Sequence, residues 1–410
     1  MRTTFLRAAA AAAAILPALA VAQPLSLEQA LSLAAQRSEA ARAGRAAGAA
    51  AYESARAAGQ LPDPMLRAGV ENLPATGADR YSTTADSMTM KRIGISQEWL
   101  SADKRAARES AARAVAERAS MQADVAEADA RLQAALAYLD ACYAAASLEL
   151  VAQTEQRLHE ELQASRARLA AAAGASAEVL QLASAAGMAE DERDEARQQQ
   201  AAASVALERW VGVRPEVQTA LPSLAIPSEQ DFLSRHPQLA LLEREVEVAR
   251  RTAAVAAEER TPNWTWDVSY GQRTGYSDML SVGVSIPLPL APSLRQDREA
   301  AAKRALVDKV EAELAEAGRA AAAEYRTMAG DAAGLQQRID RYRTSVAAPA
   351  RQRTAAVLAA YRSNQGTLAA WFEARRAEVQ AQRKLLALQR DLAKTQARLV
   401  YTPLAQGGAR

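Results

Sequence analysis

Few side chains in this sequence have the types and the spacing that enzymatic chemistry requires. There are two histidines, His159 inside a long helical pattern and His236 before a proline, and one cysteine, Cys142. A nucleophile with its base, or a metal site, needs clustered His, Cys or carboxylate groups. We therefore expect no enzyme, no cofactor and no metal site. Each histidine is interpreted as solvated or capping, and Cys142 as a small core residue outside any disulfide.

The other candidates for chemistry are weaker still. Gly271 and Gly275 are too isolated for a phosphate-binding loop, and scattered methionines near strands, such as Met88, Met90 and Met279, usually pack rather than bind metal. Carboxylates that recur along helices together with arginines are typical of a solvated face. The 50 basic and 48 acidic residues give a net charge of +2, which argues against a nucleic-acid partner.

The N-terminus predicts a secretory signal peptide over residues 1–22. Arg2 and Arg7 precede a run of alanines and other apolar residues, and the triplet Ala20 to Ala22 fits the small-residue cleavage pattern. The mature chain would begin near Gln23, outside the cytoplasm; an ordinary Ala-rich helix is the alternative. Since no cysteine follows the cleavage site, no lipid anchor is expected. Beyond the signal there is no run of about 18 apolar residues, so no transmembrane helix is expected.

The helical patterns predict an elongated protein. Residues 101–173 contain neither Gly nor Pro, and their apolar residues recur at helical spacing. A helix of this length would be on the order of 100 Å long, which is too long for a compact domain. Because aromatic residues are only 4% of the chain and Ala is abundant, we expect thin, Ala-lined seams between helices. The resulting fold class is mainly α, with long antiparallel helical hairpins and a small β part.

The plan of the chain is repeated once. In each half a helix precedes a predicted β-hairpin, a long helix and a shorter helix, and similar strand segments occur at 93–96 and 282–285. This predicts two structural repeats, 23–225 and 226–400, followed by a flexible tail at 401–410. The predicted helices are 27–59, 101–173, 176–210, 238–259, 294–363 and 367–399, and the hairpins lie at about 65–99 and 264–286.

In each predicted strand, apolar residues alternate with small, polar or charged ones. A half-buried sheet on a soluble core produces this pattern, and so does a transmembrane barrel with lipid outside and water inside. Aromatic residues near the strand ends, such as Trp99 and Tyr276, favour the barrel. On that interpretation the lipid-facing residues are Leu66, Val70, Ile93, Ile95, Trp264, Trp266, Val268, Leu280, Val282 and Val284.

A barrel interpretation also constrains the assembly. Four strands cannot close a membrane barrel, because the smallest barrels have about eight and open edges are not tolerated in lipid. Several chains must then share one barrel, and three copies would supply twelve strands with a water-filled lumen.

Three segments of the chain are especially distinctive: LPDPMLRAGVENLP at 61–74, KRIGISQEWLSADKRAAR at 91–108, and residues 263–301. With them, nearly the whole mature chain resembles the TolC-type outer-membrane efflux proteins, particularly the CzcC-like and CusC-like branch that serves heavy-metal efflux. The resemblance implies a homotrimer in the outer membrane of a Gram-negative cell, with a twelve-stranded β-barrel continuous with a periplasmic α-barrel. It also implies a periplasmic adaptor and an inner-membrane, proton-driven pump of the RND type as partners.

In this family the helical turns at the periplasmic tip contact the adaptor and close the pore. They correspond here to 170–178 and 361–370, and an acidic residue often follows each turn; Glu178 fits the first repeat, whereas the second has Ala370. The residues implied in docking or gating are Gly174, Ser176, Glu178, Tyr361, Arg362, Gly366 and Thr367.

The function predicted from these features is a passive exit duct of a tripartite efflux system, which chemically transforms no substrate. Heavy-metal cations are the expected cargo from the branch resemblance alone. Two alternatives stay open: a soluble periplasmic coiled-coil adaptor or scaffold, and the same duct serving drugs or other small molecules.

Overall fold

The structure is a computed structural model that describes residues 24–171, 175–213, 216–217, 224–363 and 365–404. Long helices dominate it, and one small sheet lies among them. The helices are α1 (Leu27–Arg37), α2 (Glu39–Ala58), α3 (Ala102–Ala170), α4 (Ser176–Val211), α5 (Glu229–Ser234), α6 (Pro237–Glu258), α7 (Gln296–Tyr342), α8 (Ala348–Arg362) and α9 (Leu368–Tyr401). The strands are β1 (Met65–Glu71), β2 (Met90–Trp99), β3 (Trp264–Gln272) and β4 (Met279–Ser285).

The predicted long helix is confirmed as α3, which has 69 residues. It starts where Ser101 accepts a hydrogen bond from the backbone N–H of Lys104, as an N-cap residue does. α3 packs against α1, α2, α4, α6 and α9. The predicted thin seams are also present: a Cβ on Gly44 of α2 would lie 2.8 Å from the Cα of Ala123.

Two predicted helices differ from the observed ones, and one observed helix was not predicted. The single helix expected at 27–59 is two helices, because Ser38 adopts an extended conformation and caps α2 through its side chain. The long helix expected at 294–363 is divided by a π-helical turn at Arg343–Ala347. Pro349 follows this turn and has no backbone N–H to donate, so the wider turn accommodates it. The connector after α4 contains the short helix α5, which the sequence did not predict.

The prediction that no helix is apolar enough to span a membrane was too strict. One window of 18 residues in α3 has a mean hydropathy of 1.3 and passes that test by length and composition. The many alanines of α3 raise its mean hydropathy, because alanine has an apolar side chain although that side chain is small and buries little surface. α3 is interpreted as a core helix of the rod because it packs against α1, α2, α4, α6 and α9.

Within the described ranges, the helices are held together by separate small clusters along the rod. One cluster joins α1, α3, α4 and α9 around Tyr138, whose hydroxyl donates to the backbone oxygen of Leu25 at 2.8 Å. A second joins α3, α4 and α9 around Leu182 and Trp371. A third joins α7 and α9 around Ile339 and Leu388.

The four strands form one antiparallel sheet in the order β1-β2-β3-β4. β2 belongs to the first half of the chain and β3 to the second, so the central pairing joins the two halves. Their register places Ile95 opposite Val268 and Trp99 opposite Trp264. β1 and β4 form the two edges of the sheet.

A buried lysine fixes the helices to the sheet. The Lys104 side chain is 2% exposed, and its Nζ donates to Glu259 Oε2 (3.0 Å), Thr261 O (2.8 Å) and Asn263 Oδ1 (2.9 Å). These acceptors lie between α6 and β3. The interaction therefore connects the start of α3 in the first half with the helix-to-strand turn of the second half.

Candidate functional site

The sheet has the reverse of the burial pattern expected in a water-soluble protein. Its apolar side chains are exposed, with Val282 at 72% and Leu280 at 71%, whereas Ser96 and Ser269 on the opposite face are only 2% and 6% exposed. A half-buried sheet on a soluble core would show the opposite arrangement. An exposed apolar area of this size marks a surface that contacts lipid or another protein.

The strand register places all ten predicted lipid-facing residues on one face of the sheet, called here the apolar face. Leu66, Ile95, Val268 and Val282 lie in one row across the four strands. Residues directly opposite in antiparallel strands point to the same side. Their shared face follows from the register, and nine of the ten are exposed while Val268 is half-buried. Their contact with lipid stays a prediction.

The opposite face, called here the polar face, lines a hollow. Arg92 lies at its centre and donates to Glu71 Oε1 at 2.7 Å and to Ser269 Oγ at 2.6 Å. Small residues are needed beside these groups. A Cβ on Gly94 would lie 2.5 Å from the Cβ of Ser269, and one on Gly283 would lie 2.6 Å from Asp267 Oδ1.

Aromatic side chains lie at both ends of the apolar face. Trp99 and Trp264 are paired at the end next to the helices and are 47% and 55% exposed. Tyr276 (58% exposed) lies in the turn between β3 and β4, and Tyr81 (60% exposed) lies in the connection between β1 and β2, at the far end. Two aromatic levels separated by an apolar band are typical of membrane-spanning surfaces.

The helical tip is the second candidate site, formed where α3 meets α4 and α8 meets α9. Ser176 begins α4, and Glu178 is its third residue. Thr367 caps α9 by accepting a hydrogen bond from the Ala370 N–H at 3.3 Å, and Ala370 is the third residue of α9. Gly174 lies outside the described residues. Glu178 and Ala370 thus occupy the same position within α4 and α9, and only α4 carries an acid there.

The structure brings Glu178 and Tyr361 together and adds an arginine that the sequence did not indicate. The Tyr361 hydroxyl donates to Glu178 Oε1, and Arg168 Nη2 donates to the same oxygen at 3.0 Å. Arg168 Nη2 also lies 3.3 Å from Glu161 Oε1 and 3.0 Å from the Tyr361 hydroxyl. We call these four residues the tip network. It connects the first helical hairpin to the second.

The tip network shifts the ionisation of its members. The hydrogen bond from Tyr361, together with the hydrogen bond and the positive charge of Arg168, outweighs burial and lowers the pKa of Glu178. Burial and the hydrogen bond to Glu178 raise the pKa of Tyr361 to about 12. Both pKa shifts mean that the interaction favours an ionised Glu178 carboxylate and a neutral Tyr361 phenol, which are the forms that make the hydrogen bond.

The remaining predicted tip residues lie next to this network. Arg362 is the last residue of α8 and is exposed, beside Tyr361 in the chain. A Cβ on Gly366 would lie 3.2 Å from the backbone nitrogen of Tyr361, so the turn passes close to α8. The sequence did not indicate Arg168, because it lies in the segment ASRARLA at 164–170, where Arg166 has the same sequence context.

The histidines have different environments, and one prediction about them was wrong. His236 precedes α6 but makes no side-chain cap; it is buried against Phe232, with ring centroids 5.4 Å apart, and burial lowers its pKa. His159 is partly exposed and lies 2.9 Å from Glu190. Cys142 is buried as predicted, and burial raises its pKa to about 11.

No protein-family model matches this sequence, and no curated protein matches it. Solved structures match along nearly the whole chain. The outer membrane protein VceC from Vibrio cholerae is 18% identical, with a TM-score of 0.73 over 92% of this chain and 95% of its own. CusC, which forms a transmembrane channel, is 15% identical, with a TM-score of 0.76 over 92% of this chain and 91% of its own. The Neisseria gonorrhoeae outer membrane channel MtrE, in its open state, is 15% identical, with a TM-score of 0.64 over 92% of this chain and 88% of its own.

These matches show that the chain has the fold of outer-membrane channel proteins. They confirm the predicted fold class and the resemblance to TolC-type proteins at the level of the fold. The matched structures named here are channels or outer-membrane proteins rather than enzymes.

Proposed function

We propose that this protein is the outer-membrane exit duct of a tripartite efflux system in a Gram-negative cell. The observation that carries the proposal is the reversed sheet at the end of long helical hairpins: apolar side chains are exposed on one face, and Ser96 and Ser269 of the central strands are buried on the other. A membrane protein with a water-filled lumen needs this arrangement, since lipid lies outside and water inside.

Closure of the barrel requires further copies of the chain. β1 and β4 are edges of the sheet, and unpaired backbone groups are not tolerated in the hydrocarbon layer. A homotrimer would pair β4 of each copy with β1 of the next and give twelve strands. The polar faces would then line the lumen, with Arg92 and Asp267 among the lining residues.

The duct works passively in this proposal and transforms no substrate. A periplasmic adaptor would dock on the helical tip and connect it to an inner-membrane pump of the RND type, which supplies the energy. Heavy-metal cations are the proposed cargo, on the branch resemblance carried by 61–74, 91–108 and 263–301. Removal of residues 1–22 as a signal peptide, without lipid anchoring, would deliver the chain to the outer membrane.

The tip network is proposed as the closing element of the pore. It joins the α3–α4 turn to the end of α8, so opening of the tip must separate Glu178 from Tyr361 or move both hairpins together. Docking of the adaptor at 170–178 and 361–370 would shift this equilibrium towards the open form.

The proposal is tested by cell fractionation together with one pair of substitutions. We expect a heat-resistant oligomer in the outer-membrane fraction. Val282→Arg on the apolar face should reduce membrane insertion, because an arginine in the middle of a barrel strand costs about 2–4 kcal/mol facing lipid. Ser281→Arg, the neighbouring residue on the polar face, is the control and should insert normally.

Two other functions have distinct outcomes in the same experiment. A soluble periplasmic adaptor or scaffold predicts release of the chain with the periplasmic fraction and an equal effect of Val282→Arg and Ser281→Arg; that result would overturn the proposal. A duct for drugs or other small molecules predicts the same fractionation, but resistance to drugs rather than to metal salts when the gene is restored to an efflux-deficient strain.

A further inference from the structure

A cluster of one histidine and two glutamates lies on the first helical hairpin, apart from Glu178 and Tyr361 at the tip. Glu155 and His159 are one helical turn apart on α3, and Glu190 comes from the antiparallel helix α4. The ligand atoms of the three side chains all lie within 4.8 Å of one another. From sequence alone Glu155 and His159 form an ordinary helical pair, and only the hairpin brings the third group to them.

We propose that these three side chains bind a divalent transition-metal ion of the copper or zinc class. Imidazole nitrogen together with carboxylate oxygen is a donor set that these ions accept. His159 Nε2 lies 2.9 Å from Glu190 Oε1 and 3.9 Å from Glu155 Oε1. Ligand atoms around a four-coordinate ion with bonds of about 2.0–2.2 Å are roughly 3.3 Å apart, so these separations bracket the required value.

The exposure of the cluster fits a site that an ion can enter. Glu155 forms its base, with 11% of the side chain exposed, while His159 and Glu190 are 39% and 49% exposed. Water molecules could therefore complete the coordination. A metal ion binds an imidazole through an unprotonated nitrogen, so binding should weaken in acid.

The guanidinium group of Arg193 lies next to the cluster and should oppose binding of a metal ion, which can be tested by substitution. Arg193 Nη1 lies 2.8 Å from Glu155 Oε1 and neutralises part of the charge that would attract an ion. Its removal would leave the Glu155 carboxylate available as a ligand. We therefore expect Arg193→Gln to strengthen metal binding by about tenfold. Arg197→Gln removes the same charge one turn further along α4, from a side chain that is 64% exposed, and should change binding little.

An ion at this position would connect α3 to α4 behind the tip. His159 lies 11 residues before Ala170, the last residue of α3, which corresponds to about 17 Å along the helix. The site is separate from Glu178 and Tyr361, and it does not depend on insertion of the sheet into a membrane. Its test can therefore fail or succeed independently of the proposed duct function.

The composition of the chain makes the experiment specific, since there are only two histidines and one buried cysteine. The full chain, purified in detergent without a histidine tag, is titrated with Cu²⁺ and Zn²⁺ by calorimetry, and the Cu²⁺ form is examined by electron paramagnetic resonance. We expect one ion per chain with a single nitrogen ligand. His159→Gln should weaken binding at least tenfold, as should Glu155→Gln and Glu190→Gln, by loss of a ligand.

His236→Gln is the matched control, because it removes the other histidine, which is buried elsewhere. Circular dichroism of each variant checks that the fold is retained. Binding that is unchanged in His159→Gln, or lost equally in His236→Gln, would overturn the proposal. So would the absence of any binding by the unmodified chain, or weaker binding in Arg193→Gln.

Discussion

The hydrogen bond between Tyr361 and Glu178 should hold the tip closed, and its removal should open the pore measurably. Tyr361→Phe deletes the hydroxyl and leaves the ring, which packs beside the cluster around Leu182 and Trp371. Glu178→Gln keeps the shape of the acceptor and removes its charge. Both changes therefore act on the interaction with little change in packing.

The size of the effect follows from the burial of the partners. A hydrogen bond to a charged group contributes about 1.5–3 kcal/mol, and the Glu178 side chain is 21% exposed, which places this one near the lower limit. Arg168 is 40% exposed, so its ion pair adds no more than about 0.5–1 kcal/mol. We expect each single substitution to lower the closed-to-open ratio about tenfold.

Single-channel recording in planar bilayers measures this ratio from open and closed times. Tyr361→Phe removes the donor of this hydrogen bond and Glu178→Gln removes the charge of its acceptor. Because both substitutions act on one interaction, the double variant should differ from either single variant by less than about threefold. Tyr325→Phe is the control: it also deletes a bonded hydroxyl, 2.7 Å from Pro227 O, but on α7 outside the tip. If the double variant shows the product of the two single effects, or if no variant changes the ratio, the tip network does not close the pore.

Three further predictions concern pH, the polar face and the junction of helices and sheet. The fold lowers the pKa of Glu178 from 4.5, so its contribution to closure is present above pH 4.5 and is lost as the pH falls through the lower folded pKa. The fold raises the pKa of Tyr361 from 10.0 to about 12, so its contribution is lost only as the pH rises from 10.0 through about 12. Recordings should thus show constant closure between about pH 5 and 9 and opening in stronger acid, and a change of closure near neutral pH would contradict this. Gly94→Ala should destabilise the oligomer by about 1–3 kcal/mol, measured as its dissociation temperature on gels, because the new Cβ clashes with Ser269; Gly69→Ala, with open space around it, should not. Lys104→Met should cost about 1–3 kcal/mol in thermal unfolding because Glu259, Thr261 O and Asn263 Oδ1 lose a charged donor. Arg108→Gln, from a side chain 39% exposed, should cost about 1 kcal/mol or less, and equal effects would refute the role of burial.

The helices and the sheet could be predicted because their signals are local and periodic. Freedom from Gly and Pro over 101–173 predicted α3, and alternation predicted the face of every strand residue that was assigned. The break at Ser38 could not be predicted in this way, because Ala-rich sequence surrounds it and only the cap geometry separates α1 from α2. Alanine also explains the error about membrane spans, since its hydropathy is high while its buried area is small.

Residues of the candidate sites could be predicted only where a single turn or strand marks them in the sequence. Glu178 and Tyr361 were found because each lies at a turn, yet their contact depends on how two hairpins pack 183 residues apart. Arg168 and Glu190 have no distinguishing sequence context, since charged residues alternate along both helices. Only their contacts with residues of other helices distinguish them, and those contacts could not be predicted from this sequence alone.

The predicted duplication would bring the two halves together at several levels, and its two copies differ at the tip. β2 pairs with β3 at the sheet, Lys104 binds Glu259 at the junction, and Glu178 binds Tyr361 at the tip. A symmetric pair of repeats could form two tip interactions. Tyr361 precedes the last residue of α8, and the equivalent position at the end of α3 is Leu169; Glu178 corresponds to Ala370. Each half therefore supplies one partner of a single interaction. Loss of either partner removes it completely, which is why one substitution at the tip is expected to suffice.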